Sequence, residues 1–216
     1  MADLLAAVDD TFRQTSAGLS PWPDPHPDRA PPVDAYSRLT DPARWRILGA
    51  RTDAWLSTLA GAGLAVVDAG ADVTWRVVQQ PLITRVERVF PSAGGALDLV
   101  VGHSRLGDVD DAGVVLGLGD PAETVTWFPH CGCDACDSGS QRELDDLDTH
   151  VLSIVTGAFR RLWNGDRRIT VLGAGRWEAS NFGLSSRNSF QEVQAVLADP
   201  GGWDEISGRP WLSTRR

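Results

Sequence analysis

The chain has 216 residues, 42% of them hydrophobic and 23% charged, which is enough for one domain with a real core. Its net charge is −9, and all 20 basic residues are Arg. Such an acidic chain argues against a nucleic-acid partner and against docking on anionic lipid, and no apolar run approaches the roughly 18–20 residues of a membrane span.

The N-terminus, M-A-D-L-L-A-A-V-D-D, lacks the basic flank and long apolar segment of a secretory signal. Three cysteines packed into six residues do not make a disulfide framework. The expectation is a reduced, cytoplasmic protein. Nine Trp against one Tyr exceed what a core of this size absorbs, so some are expected to line a groove or an interface for a protein or small-molecule partner.

In chain order, Leu4, Leu5, Val8 and Phe12 fall at helical spacing, which predicts a short amphipathic helix over 3–17. Residues 20–32 hold six prolines and favour polyproline II. With the first helix they form an expected N-terminal arm over 1–34, followed by a single domain over 35–216. Asp41 and Pro42 then open a helix running from Arg44 to Ala60 and ended by G-A-G. The period changes to two after that. Strands are predicted at Val73–Val78, Ile83–Phe90, Leu97–His103, Val114–Leu118 and Glu123–Phe128, joined by turns with no helix between them. Such connections imply an antiparallel meander.

A long helix is predicted from Ser140, with Glu143 completing a capping box and Leu144, Leu147, Val151, Val155, Ala158 and Leu162 on one face. Asp148 interrupts that face and needs a partner, an Arg in the first instance. A hairpin at Arg168–Leu172 and Arg176–Ala179 follows. Ser189 and Glu192 cap a last helix to Asp199, and the tail with Trp203 and Trp211 is expected to be loose. The fold class is therefore α+β: an antiparallel sheet of five to seven strands with helices packed on it, plus the proline-rich arm. Trp45, Trp55, Val86, Leu99, Val101, Val115, Trp127, Leu147, Val151 and Val155 are its predicted core.

The chemistry concentrates in W-F-P-H-C-G-C-D-A-C-D-S-G at 127–139, between a strand and the long helix. Cys131, Cys133 and Cys136 supply three thiolates, the preferred ligands of structural zinc, which takes four. His130 is the nearest candidate for the fourth. His150 lies ten residues past Ser140, roughly 15 Å along a helix. His103 ends a strand, and Asp134 and Asp137 offer oxygens. Three protein ligands with water in the fourth position would instead make a catalytic metal site, with Asp134, Asp137 or His130 as base. Cys133 and Cys136 also form a C-x-x-C, so thiol redox chemistry is a further reading. The helix start after the pair and the flanking carboxylates, which raise thiol pKa values, count against it. Thiols that simply pack as small hydrophobes are the remaining alternative. A base deaminase is excluded: the proline is displaced from P-C-x-x-C and no H-x-E lies upstream. There is no P-loop, G-x-G-x-x-G, H-E-x-x-H or G-x-S-x-G.

The block C-G-C-D-A-C-D-S-G followed by L-x-x-L-D-x-x-V-L-S-I-V-x-G resembles an uncharacterised actinobacterial family of proteins of unknown function, over about Trp45 to Leu172. The resemblance implies no activity, ligand or catalytic residue. The functional expectation is a non-catalytic cytoplasmic binding domain with the cysteine-rich loop as a structural staple, with zinc as its candidate metal and a metal-free loop as the alternative.

Overall fold

Helix α1 (Ala2–Thr15) packs along helix α2 (Arg46–Gly61). Leu4 and Val8 are its buried contacts, and the Thr15 hydroxyl donates to the Ala50 carbonyl at 2.7 Å. A single 3₁₀ turn, Pro42–Trp45, leads into α2. Asp41 stands before that turn without making a side-chain cap, so the start signal was right in place but the predicted capping bond is absent. Helix α2 is buried on most of its circumference, with Leu48, Ala54, Trp55 and Leu59 at 1% exposure or less. One face meets α1 and another meets the sheet. Burying each such large side chain is worth about 1.5–3 kcal/mol.

The structure, a computed structural model, describes residues 2–76, 81–173, 175–182 and 186–212. Strands β1 (Ala65–Ala69), β2 (Trp75–Arg76), β3 (Ile83–Pro91), β4 (Leu99–Leu106), β5 (Val109–Leu118) and β6 (Ala122–Phe128) form one sheet in the order β1-β3-β4-β5-β6-β2. All its pairings are antiparallel except β2 with β6. The run from β3 to β6 is the expected meander. Strand β4 is buried on both faces from Leu99 to Ser104, as a central strand should be.

Helix α3 (Ser140–Val155) follows, then β7 (Arg160–Asn164), β8 (Arg167–Gly173), β9 (Arg176–Ser180), α4 (Ser186–Ala198) and β10 (Asp204–Ser207). These four strands make a second antiparallel sheet in the order β10-β7-β8-β9. Its apolar cluster is built on Leu162, Ile169 and Val193, with Trp177, Phe182 and Trp203 packed against it. The described contacts group into two compact units, Met1–Ser92 with Asp98–Asp148, and Ala93–Leu97 with Thr149–Arg216. No helix among the described residues is long and apolar enough to cross a membrane.

Several expectations are corrected. The described residues form two sheets where one was predicted. Strands β1, β7 and β10 were unforeseen: β1 and β10 are short edge strands, and β7 falls in the stretch read as the end of the long helix. The described part of the tail is docked: Trp211 is 2% exposed and its amide donates to the Val155 carbonyl at 2.9 Å. The long helix stops at Val155 instead of running past Leu162. Gly157 takes a left-handed φ of 68°, and the Phe159 amide folds back onto the Ser153 carbonyl at 2.8 Å. Leu162 keeps the helical period by coincidence and is a core residue of β7. Trp127 and Val86 leave the predicted core: Trp127 is 38% exposed, and on β3 it is Val89 that is fully buried. Val77 and Val78 of the predicted first strand, Ala174 of the hairpin turn and the terminal Arg215 and Arg216 lie outside the described residues.

Candidate metal centre

The cysteine loop fills the gap between β6 and α3, and its backbone is tied down by residues 22–44. The Asp134 amide donates to the Arg38 carbonyl at 2.8 Å, and the Ala135 amide to the Ala35 carbonyl at 3.2 Å. A tight turn closes inside the loop, where the Cys136 amide donates to the Cys133 carbonyl at 3.1 Å. Both loop carboxylates are committed to this anchoring. Asp134 accepts from the amide and hydroxyl of Thr40 and lies 3.4 Å from the Arg38 guanidinium. The hydrogen bonds from Thr40 hold its carboxyl below the usual carboxylate range. Asp137 is buried. It accepts from the Trp22 indole at 2.9 Å and the Gly139 amide at 2.9 Å, and pairs with Arg44 at 2.6 Å.

Trp22 is the keystone of the arrangement. Its ring meets the edge of Trp45 at 5.3 Å, and the Arg44 guanidinium lies 5.1 Å from its centroid. Its backbone closes on Ser140: the Ser140 amide donates to the Trp22 carbonyl at 3.0 Å, and the Trp22 amide donates to the Ser140 hydroxyl at 3.0 Å. Ser140 therefore does not form the predicted capping box. Glu143 instead accepts from the Ser138 hydroxyl at 3.2 Å. Burial pushes the Glu143 carboxyl up to about 7.

With the carboxylates turned inward, the thiols are left on the outer side. Cys131 and Cys136 are exposed and Cys133 is half-buried; all three are free. The Sγ atoms of Cys131 and Cys133 are 3.2 Å apart, and all three sulfurs lie within 4.8 Å of one another. Two thiolates on one tetrahedral zinc sit about 3.8 Å apart, given a Zn–S bond near 2.3 Å. The three sulfurs are thus gathered closely enough for one ion, with the Cys131–Cys133 pair, at 3.2 Å, opening slightly to take it.

No His, Asp or Glu atom of the described residues joins that group. The His130 ring turns to Phe128, 5.2 Å between centroids, and to Trp127 at 6.4 Å. His103 is buried on β4, and the His150 Nε2 lies 3.7 Å from Glu178. Neither is a fourth ligand.

The expected electrostatic objection to a thiolate does not hold. Burial pushes the Cys133 thiol up, but hydrogen bonds from the Cys131 and Cys136 thiols and from the Cys136 and Ala135 amides outweigh it and hold the thiol below its ordinary value. Cys136, which donates to Cys133, is pushed up to about 12.

A second polar cluster, unforeseen from the sequence, lies between α2 and the first sheet. A pocket of about 350 Å³ there is lined by Arg46, Gly49, Asp53, Arg85, His103 and Asp111, among others. His103 is fully buried. Its Nε2 lies 3.4 Å from Glu87 and 3.6 Å from Asp53, and Arg85 pairs with the same two acids at 2.9 and 3.1 Å. Glu87 is 3% exposed, and among the described residues its Oε2 has no hydrogen-bond partner. Burial, followed by the Arg85 charge, lowers the His103 pKa to about 4. The signal was present in the alternation of β3: Arg85 and Glu87 share a face, and the register pairs Arg85 with His103. Charges in a strand read as a solvent face unless a covering helix is known.

The profile of a family of unknown function (DUF6226) matches residues 8–215. The chain belongs to this family. The match takes in the proline-rich segment and the C-terminal tail, well beyond the stretch from Trp45 to Leu172. No curated protein and no solved structure matches the chain. The function of a DUF6226 chain has therefore to be argued from its site.

Proposed function

We propose that the protein binds one thiophilic metal ion, zinc in the first instance, through Cys131, Cys133 and Cys136. The observation that carries this reading is the convergence of three sulfurs within 4.8 Å on a loop whose carboxylates point elsewhere. The reading is of a binding domain, not a metalloenzyme. What supports that is the commitment of Asp134 and Asp137 to Thr40, Trp22 and Arg44, and the packing of the His130 ring against Phe128 and Trp127, which sets all three candidate bases to other contacts. The test is cobalt substitution of reduced, metal-stripped protein. We expect about one equivalent bound, with tetrahedral-type d–d bands and thiolate charge transfer, and loss of both in Cys133→Ser. If neither cobalt nor zinc binds at micromolar protein, the reading is wrong.

A second reading has its own observation. The 3.2 Å contact between Cys131 and Cys133, with Cys133 held below the ordinary thiol value, favours a reactive Cys133. In that case alkylation of Cys133 persists to lower pH than that of an ordinary thiol, and mild oxidation joins it reversibly to a neighbouring cysteine. Slow alkylation at all three positions excludes it.

A further inference from the structure

A structural zinc site is closed by four protein ligands, and its loop takes shape only when the ion is bound. The cysteine loop offers three such ligands, and its backbone has ties of its own. Four of its amides are already spoken for by groups that are not metal ligands: Asp134 on Arg38, Ala135 on Ala35, Gly139 on Asp137 and Ser140 on Trp22. Beneath them the buried Asp137 carboxylate is held by Trp22 and Arg44. Backbone satisfied in this way does not need an ion to order it. On the outer side two of the three thiols are exposed, and among the described residues no His, Asp or Glu supplies a fourth donor.

Resting on the metal reading, we infer that the loop is an exchange site. It takes a thiophilic d¹⁰ cation, Zn²⁺ or Cu⁺, from a thiol-bearing carrier and yields it again, with the carrier's thiolate occupying the open position during transfer. Each step is a ligand substitution. A metal–sulfur bond to the carrier breaks as one to Cys131, Cys133 or Cys136 forms. The protein thiol gives its proton to solvent, and the carrier thiolate regains one. The oxidation state of the ion does not change, so no electron donor or acceptor is needed. An ion held by three thiolates, two of them exposed, is open to attack by a fourth, so its release is associative and its rate depends on the incoming thiol.

The test uses the full chain, reduced and metal-stripped, in two parts. Hydrogen exchange on the apo protein reads the amides of Asp134, Ala135, Gly139 and Ser140. They are expected to stay protected without metal. The protein is then loaded with one equivalent of Zn²⁺ or, anaerobically, of Cu⁺. Release is followed with pyridylazoresorcinol for zinc and bicinchoninate for copper, at increasing reduced glutathione. The release rate is expected to climb in proportion to glutathione, and whichever ion shows this is the one the site is built for. Unprotected loop amides in the apo protein, or a release rate indifferent to glutathione, would overturn the exchange site while leaving the metal reading intact. Failure of both ions to bind removes the metal reading, and the exchange site with it. Cys136→Ser guards against misfolding as an explanation: it should keep the loop protection, which rests on Asp137 and Trp22, and lose retention of the ion.

Discussion

Asp148 is the one acid inside the apolar stripe of α3, and its surroundings show how it is tolerated. Arg51 grips both carboxylate oxygens, at 2.9 and 2.6 Å, and the Trp55 indole donates at 2.7 Å. Arg51 in turn is held by Asp9 at 2.7 Å. Removing one partner of a buried pair leaves the other charge uncompensated, so Asp148→Ala should cost about 3 kcal/mol, read from urea unfolding at pH 7. A loss below about 1 kcal/mol would mean that Asp9 alone satisfies Arg51.

His103 makes a different kind of prediction. In the fold it stays neutral down to about 4, while the unfolded chain takes up a proton near 6.5. Between those values the unfolded state binds more protons. The contribution is therefore fully present above about 6.5 and is lost as the pH falls toward 4, to a total of about 3 kcal/mol. Glu143 acts with the opposite sign. Raised from 4.5 to about 7, it favours the fold at low pH and loses that contribution as the pH rises through this interval. Glu87, also raised by burial, with the Arg85 charge opposing and Asp53 and Asp111 adding to the rise, has the same sign as Glu143. The wild-type profile is thus a difference of opposing slopes, and single variants separate them. His103→Gln should flatten the loss between pH 6.5 and 4, and Glu143→Gln should steepen it. Unchanged urea midpoints across that range in both variants would contradict the assignment.

At the scale of elements, the cysteine loop depends on a segment that precedes it by about a hundred residues. The motif from Cys131 to Gly139 is legible as a candidate site because its spacing is local. Which way its side chains point is not legible, because Trp22, Thr40 and Arg44 decide it. Asp137→Ala removes the acceptor of Trp22 and Gly139 and leaves Arg44 without its ion partner; the expected cost is about 3 kcal/mol. The same change should unprotect the Gly139 and Ser140 amides in hydrogen exchange. If those amides stay protected, the anchoring lies elsewhere. Gly139 shows the closeness of the fit: its φ is 84°, and a Cβ there would stand 2.6 Å from the Asp24 amide nitrogen. The strong periodicity of α3 was read correctly over its first four turns. It was extended too far because Gly157 was treated as one more residue of the pattern and not as its stop signal.

At the scale of the whole molecule, charge is the property the chain carries openly. With −9 net and no Lys, it should pass unretained through a heparin column at physiological salt, and retention would point to a basic patch that the total conceals. The α+β class, the meander from β3 to β6, the opening of α2 and the thiolate cluster all follow from local rules: backbone period, turn chemistry and ligand spacing act over a few residues, so the sequence alone determines them. Tertiary structure decided the rest. Strands β1 and β10 are too short to announce themselves and exist through the hydrogen bonds of β3 and β7. The partner of Asp148, the burial of His103 and Glu87 under α2, and the outward face of the three sulfurs depend on contacts between residues far apart in the chain. Pairing energies of that kind have no periodicity along the sequence, and so leave no pattern in it to read.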